Sequence, residues 1–297
     1  MYRSSFIFLI FFFLTLSLIF PEFFFDFKSF IPTLLGVVMF GMGMTLKISE
    51  IKRISKKPSW LIITILLQYT IMPVLAFLIV KIFNFSNEIA IGFIILGSCP
   101  GGTASNVIAY ICGANVSLSI FCTFISTGLS VFLTPFLIFF LANESVIINL
   151  LDLVRSTFYI ILLPVLAGIL VKLVMREIKE RYLKFFALFS EITIAFIIAI
   201  IFSINSDSLN NLSYGIVLAI MLHNIVGLSL AFFITNLLKY PNDVKKTVAI
   251  EVAMQNSGLG MTLALLHFSK IVALPSALFS LWHNISAAGL VYLWKKK

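Results

Sequence analysis

The chain has 297 residues, of which 61% are hydrophobic and 11% charged, with a mean hydropathy of +1.11 and a formal charge of +9. A soluble domain carries about 25% charged residues, so a chain this apolar cannot clothe itself in polar surface and takes lipid as its solvent. That excludes a water-soluble enzyme or binding module.

Apolar runs approaching the ~20 residues that cross a bilayer recur ten times. They centre on Ser4–Phe20, Ile31–Leu46, Trp60–Ile82, Ile89–Cys112, Val116–Leu141, Leu150–Leu173, Phe185–Ile204, Tyr214–Leu238, Val244–Phe268 and Ala273–Trp294. The first is longer than a signal-peptide core, and the PEFFFD that follows offers no small-residue cleavage site, so it reads as a transmembrane helix. Pro73 in the third run and Pro164 in the sixth are kinks that a helix bundle tolerates. No long loop interrupts the series, so residues 1–297 read as a single all-α membrane domain. Its two halves, about 1–142 and 150–297, hold five helices each.

Two of the ten helices are expected to break. The fourth reads IGFIILGSCPGGTASNVIAYICG. Proline lacks the N–H and each glycine weakens a helix by roughly 1 kcal/mol relative to alanine, so Pro100-Gly101-Gly102 stops the first half-helix. Thr103 is placed to cap the next one. The ninth reads AIEVAMQNSGLGMTLALLHF, with Gln255, Asn256, Ser257 and Gly258 at its centre. Because five is odd, the second half enters the membrane from the opposite side. Broken helices at matching positions of two inverted halves mark a transporter binding site.

Seventeen of the 21 Lys and Arg residues fall on one side if the N-terminus is cytoplasmic. They are Arg3, Lys47, Lys52, Arg53, Lys56, Lys57, Lys172, Arg176, Lys179, Arg181, Lys184, Lys239, Lys245, Lys246 and Lys295 to Lys297. The other side holds Lys28, Lys81, Arg155 and Lys270. This positive-inside bias places both termini in the cytoplasm, and it accounts for the basic balance without a nucleic-acid partner.

Glu251 carries the sharpest chemistry. An acid at membrane depth costs at least ~2.5–3.5 kcal/mol and needs compensation. No Lys or Arg lies at its depth, which leaves a bound metal cation or a proton as its partner; the plainer alternative is a protonated glutamate bonded to a neighbouring helix. Ser105 and Asn106 follow the first break. Ser119 and Thr123, at i and i+4, share a face of the fifth helix. Hydroxyl, amide and carboxylate oxygens suit a hard monovalent cation such as Na⁺ better than a soft metal. Without Glu251 and the two breaks, Ser119 and Thr123 would be ordinary polar contacts between helices. Gln68 adds a mid-depth amide.

Other polar residues take blander readings. Cys99, Cys112 and Cys122 show no ligand spacing and read as small packing residues. His223 with Asn224 reads as a packing pair; His283 with Asn284 reads either as packing or as the lining of a polar cavity. Glu191 is expected to be solvated near the cytoplasmic face, and the 32 phenylalanines to face lipid.

The segments CPGGTASNVIAY, GANVSLSIFCTFIST, EVAMQNSGLG and LPSALFSLWHNISA, with the earlier FGMGMTLKISE, together resemble the bile acid:sodium symporter family over nearly the whole chain. The resemblance implies ten helices in two inverted repeats, a panel domain moving against a core domain, and helices four and nine broken and crossing near the midplane. It implies two Na⁺ ions. The first would be held by Ser105, Asn106, Ser119, Thr123 and Glu251. The second would be held by Gln68, Gln255 and backbone oxygens of Glu251, Val252 and Met254. Thr103, Asn256, His283 and Asn284 would meet the substrate.

The expectation is therefore a sodium-coupled symporter, not an enzyme. It would import an organic anion, either a bile-acid-like steroid or a small carboxylate such as pantoate or a 2-keto acid. It would work as a monomer in a bacterial inner (plasma) membrane. The half-helix N-termini supply the physical reason for an anion. A proton-coupled carrier or Na⁺/H⁺ exchanger using Glu251 is the alternative. An intramembrane enzyme would need a nucleophile–base pair or chelating set that the sequence does not show. An arsenite carrier would use a cysteine near Cys99, but the full GGTASN and EVAMQNSG pairing favours the organic-anion branch.

Overall fold

The computed structural model describes residues 2–45, 57–142, 148–175, 180–209 and 213–294. Lys47, Lys52, Arg53, Lys56, Arg176, Lys179 and Lys295 to Lys297 lie outside them, as does the end of the FGMGMTLKISE segment. Among the described residues the secondary structure is helical and no strand forms.

In chain order the helices are α1 (Tyr2–Ile19), α2 (Pro21–Phe25), α3 (Ile31–Thr45), α4 (Pro58–Phe83), α5 (Asn87–Ser98), α6 (Ala104–Ile111), α7 (Val116–Ala142), α8 (Leu150–Thr157), α9 (Leu163–Met175), α10 (Glu180–Ile204), α11 (Ser206–Leu209), α12 (Tyr214–Leu237), α13 (Asn242–Ala253), α14 (Ser257–His267) and α15 (Leu274–Trp294). Local chemistry explains several starts. The Asn149 side chain accepts from Leu151 N at 3.1 Å to open α8, and Ser213 accepts from Gly215 N at 3.1 Å to open α12. Pro58 stands in the first turn of α4, where its missing N–H costs nothing.

Six helical stretches among the described residues are long and apolar enough to cross a membrane: Pro21–Thr45, Pro58–Phe83, Val116–Ala142, Leu150–Met175, Tyr214–Leu237 and Lys270–Trp294. The chain is an integral, multi-pass membrane protein. The sixth run differs from a simple proline kink. Residues Phe158–Leu162 form a π-helical turn immediately before Leu163 and Pro164. The proline ring clashes with the carbonyl four residues earlier and offers it no N–H, and a widened turn relieves both problems.

The helices pack in two groups. In one, α3 packs on α9 and α10, and α10 packs on α1. The backbones of α3 and α9 nearly touch: a Cβ on Gly43 would lie 2.2 Å from Val165 O, and one on Gly168 would lie 2.2 Å from Phe40 O. Small residues permit that approach, and in lipid, close packing drives helix association. In the other group α4, α5, α6, α7, α12, α13, α14 and α15 enclose a common interior.

Helix α7 shows how this interior is solvated. Phe132, Phe136 and Phe140, at i, i+4 and i+8, are exposed on one face, whereas Ser119, Thr123, Ser126, Ser130 and Thr134 are buried on another. The polar stripe points inward, the inverse of a helix on a soluble protein. Many phenylalanines do face outward, including Phe8, Phe11 and Phe20, but Phe24, Phe93 and Phe279 are core residues. Glu191 departs from its expected solvation: its Oε2 is buried without a hydrogen-bond partner among the described residues. Its neighbour Ser190 packs close to Gly41 of α3, so this turn of α10 is already inside the helix packing.

Candidate cation site at the helix crossing

Both expected breaks are present. Helix α5 ends at Ser98 and α6 begins at Ala104; α13 ends at Ala253 and α14 begins at Ser257. The two interruptions pair with each other. Gly102 N donates to Met254 O at 2.6 Å and Asn256 N donates to Pro100 O at 2.8 Å, making an antiparallel bridge of Gly101 with Gln255. Backbone groups released by the breaks are thereby satisfied inside the protein, which membrane depth demands. A Cβ on Gly102 would lie 2.8 Å from Gln255 O, so the crossing requires glycine there.

The cap expected of Thr103 does not form. Thr103 occupies the N-cap of α6, but its hydroxyl makes no capping bond. Its φ of −58° and ψ of −23° are already helical, whereas a capping side chain needs an extended residue. Asn256 does cap: its Oδ1 accepts from Leu259 N at 3.1 Å.

Beside the crossing the polar side chains of three helices converge on the buried carboxylate of Glu251. Its Oε1 accepts from Ser105 and from Ser119, and its Oε2 accepts from Thr123 at 2.9 Å. Asn106 Oδ1 lies 2.9 Å from Ser119 Oγ and 3.4 Å from Thr123 Oγ1. The Ser105 and Thr123 hydroxyls are 3.3 Å apart. Helix α6 brings Ser105 and Asn106, α7 brings Ser119 and Thr123, and α13 brings Glu251.

This cluster holds more oxygen acceptors than protons. Three hydroxyls have one proton each, yet they face both carboxylate oxygens, the Asn106 oxygen and the Ser119 carbonyl, which lies 3.0 Å from Thr123 Oγ1. A hydroxyl cannot donate to two acceptors at once. An ionised carboxylate with four neutral oxygens around it is a donor set for a hard cation. Side-chain oxygens at sequence separations of 128 to 146 residues would not gather by accident of local structure.

The second expected set is less compact. Gln68 Nε2 donates to Cys99 O at 3.0 Å, and Gln255 Nε2 donates to Gly97 O at 3.3 Å. Both Oε1 atoms are buried with no hydrogen-bond partner among the described residues, so each amide presents an unused acceptor beside the break in the fourth helix. Met254 O already accepts from Gly102 N, which leaves one lone pair. Val252 and Met254 are buried.

Of the residues expected at the substrate, Thr103 and Asn256 flank the crossing. His283 and Asn284 lie on α15: Asn284 Nδ2 bonds to Ser280 O of its own helix at 2.6 Å, and the His283 ring packs on Phe279 at 5.2 Å. Phe279 also meets the ring of His223, whose Nε2 lies 3.0 Å from Met72 O. Met72 O can only accept, so Nε2 carries the proton and His223 acts as a packing residue. Asn224, read as packing, bonds Nδ2 to Ala253 O at 2.8 Å at the end of α13. Cys99 Sγ bonds to Ile95 O at 3.2 Å, and all three cysteines are buried. Sequence reasoning missed Asn115, Asp243, Thr247 and Lys246, which bind α13 to its neighbours; Asn115 and Asp243 sit at helix ends and Lys246 and Thr247 in the polar first half of α13, where polar residues look like loop residues.

A multi-pass helical bundle with two crossed, broken helices and an oxygen-lined acid beside the crossing is a membrane transport protein. Residues 32–212 match the Sodium Bile acid symporter family, and the chain belongs to it. It is 41% identical over 285 residues to a protein of Bacillus subtilis named as an uncharacterized sodium-dependent transporter, YocS, covering 96% of this chain and 89% of that one. It is 34% identical over 263 residues to the probable sodium/metabolite cotransporter BASS1 of Arabidopsis thaliana chloroplasts, covering 88% of this chain and 66% of that one. The ileal sodium/bile acid cotransporter of Cricetulus griseus is 28% identical over 240 residues, covering 80% of this chain and 69% of that one.

Proposed function

We propose that the chain is a sodium-coupled symporter that imports an organic anion by alternating access. The observation that carries this reading is the convergence of Ser105, Asn106, Ser119 and Thr123 on Glu251, with more acceptors than protons to satisfy them. A first Na⁺ binds there. A second binds by Gln68 and Gln255 with backbone oxygens of Glu251, Val252 and Met254. Relatives named as a sodium-dependent transporter and as a probable sodium/metabolite cotransporter support the choice of ion.

The helix pairing supports two inverted five-helix repeats. Setting aside the short α2 and α11 and counting α5 with α6, α8 with α9, and α13 with α14 as single crossings gives ten among the described residues. The first packs on the seventh as the sixth packs on the second; the third packs on the fourth as the eighth does on the ninth; the fourth packs on the fifth as the ninth does on the tenth. The first, second, sixth and seventh form the panel and the rest form the core. Of the four half-helices at the crossing, α14 packs against panel helices α3, α8 and α10. The His267 ring at its end lies 2.9 Å from Ser156 Oγ of α8. Panel and core are thus tied at the His267 end, which the distribution of cations makes the outer one.

The cargo's anionic head lies between Thr103 and Asn256, near the N-termini of α6 and α14. The free Thr103 hydroxyl and the Asn256 amide orient it, and the positive ends of two half-helices favour its charge. The cargo is a bile-acid-like steroid or a small carboxylate of the pantoate or 2-keto acid kind. Thermal stabilisation of the purified protein by a panel of such acids, with Na⁺ or with choline, tests the reading. Stabilisation by an acid that requires Na⁺ supports it; equal stabilisation in choline overturns the coupling.

A further inference from the structure

Helices α6 and α13 run antiparallel and are joined at two levels. At one level Ser105 meets Glu251. At the other, Lys246 Nζ donates to Cys112 O, the carbonyl that caps α6, at 3.1 Å. Between them Ile108 and Ile250 belong to one apolar cluster. Lys246 also donates to Trp294 O, at the end of α15, at 3.2 Å, and its charge sits 5.8 Å from the Trp294 ring centroid. One ammonium thus holds the C-terminal ends of two helices, where the helix dipole is negative and a cation is favoured. The adjoining residues of α13 secure the next element. Thr247 Oγ1 accepts from Asn115 N at 2.8 Å and Asp243 Oδ2 accepts from Asn115 Nδ2 at 3.0 Å, ahead of α7.

Residues 243, 247 and 251 recur every four residues along one side of α13. The side that carries the acid is therefore anchored near its cytoplasmic end to the turn before α7, while Lys246, about 140° round the helix from Glu251, ties the same turn of α13 to α6 and α15. A slip of one residue along α13 would move Glu251 by about 1.5 Å and turn it by about 100°. Either change takes the carboxylate away from the hydroxyls of Ser105, Ser119 and Thr123.

We propose that Lys246 is a positioning residue for the cation site: it sets the register of α13 against α6 and so places the Glu251 carboxylate among its hydroxyl partners. The proposal rests on the sodium-coupling reading. It extends that reading to a residue five positions from the acid that touches no cation ligand side chain.

The test is a sodium titration of the purified full-length protein in detergent. NaCl replaces choline chloride at constant ionic strength, and the thermal unfolding midpoint is followed for wild type, Lys246→Met, Lys246→Arg and Lys245→Met. Lys245 is the matched control: its Nζ bonds to Asn236 Oδ1 of α12 at 2.9 Å, and its loss removes the same charge from the same turn. Lys246→Met raises the half-saturating Na⁺ concentration by about fivefold, the scale of a partly buried cation at a helix C-terminus. Lys246→Arg returns it to near wild type, and Lys245→Met leaves it unchanged. A uniform loss of unfolding temperature with wild-type sodium affinity in Lys246→Met overturns the proposal and leaves the sodium reading standing. No sodium stabilisation in wild type overturns the sodium reading first. If Lys246→Met does not fold, Lys246→Gln, which is polar but has neither the charge nor the length to hold both carbonyls, replaces it: a raised half-saturating concentration supports the proposal, and a wild-type value overturns it.

Discussion

Gly102 and Met254 meet through a single backbone hydrogen bond of 2.6 Å, donated by the glycine amide to the methionine carbonyl. With its counterpart from Asn256 to Pro100, it closes two helix breaks against each other in the middle of an apolar bundle. The proposed cation site and the proposed substrate position are both built on this crossing.

The crossing is sterically exacting. Gly102→Ala places a methyl group 2.8 Å from Gln255 O and 3.2 Å from Gln255 C, both backbone atoms that cannot turn aside. We expect a loss of about 1–3 kcal/mol of stability and loss of sodium-induced thermal stabilisation. Gly128→Ala, whose Cβ would meet nothing within 4 Å, is the control. Thermal melts with and without Na⁺ compare the two; wild-type behaviour in Gly102→Ala would show that the crossing is looser than described.

Glu251 is the one charged group in its cluster. Glu251→Ala should insert and fold but abolish sodium-driven uptake, since it removes the anionic ligand proposed for the first site. Asn106→Ala and Thr123→Ala each remove one neutral oxygen and should weaken sodium dependence less. Uptake into proteoliposomes against a Na⁺ gradient ranks them. Retained coupling in Glu251→Ala would assign the carboxylate a structural role instead.

Coupling to Na⁺ and coupling to H⁺ make opposite demands. With sodium coupling, uptake at fixed pH fails when K⁺ or choline replaces Na⁺. With proton coupling, uptake continues without Na⁺ and follows the pH gradient. The two gradients imposed separately on the same vesicles decide between them.

The two expected substrate contacts call for different substitutions. The Thr103 hydroxyl makes no capping bond, so Thr103→Leu should block the head-group position with little effect on α6. Asn256 also caps α14, and Asn256→Leu would lose about 1 kcal/mol of helix stability besides. Asn256→Ser keeps a capping oxygen and removes the amide, and is the cleaner probe. Both Thr103→Leu and Asn256→Ser should lose substrate affinity while keeping sodium-induced stabilisation. Normal binding in both would move the head group toward His283 and Asn284.

Under the proposed alternating access, the contact between His267 and Ser156 has to open. A disulfide formed after His267→Cys with Ser156→Cys should arrest uptake, and a reductant should restore it. Undiminished uptake in the crosslinked protein would place the moving boundary elsewhere.

The amino-acid sequence by itself determined the solvent of this protein, the spans of its apolar helices, the two breaks and the residue around which its chemistry turns. Each is written locally: proline and paired glycines end a helix wherever they stand, and an acid among leucines demands a partner. Tertiary structure decided who the partners are. The hydroxyls of Ser105, Ser119 and Thr123 reach Glu251 across 128 to 146 residues of chain, so only the folded bundle unites them. It also decided that Asn256 caps its half-helix while Thr103 does not, and that a π turn precedes Pro164. Lys246 looked like one more loop cation because its role depends on two helix ends that arrive from positions 112 and 294. A hydrogen bond depends on distance in space, and the chain alone reveals that distance only to near neighbours.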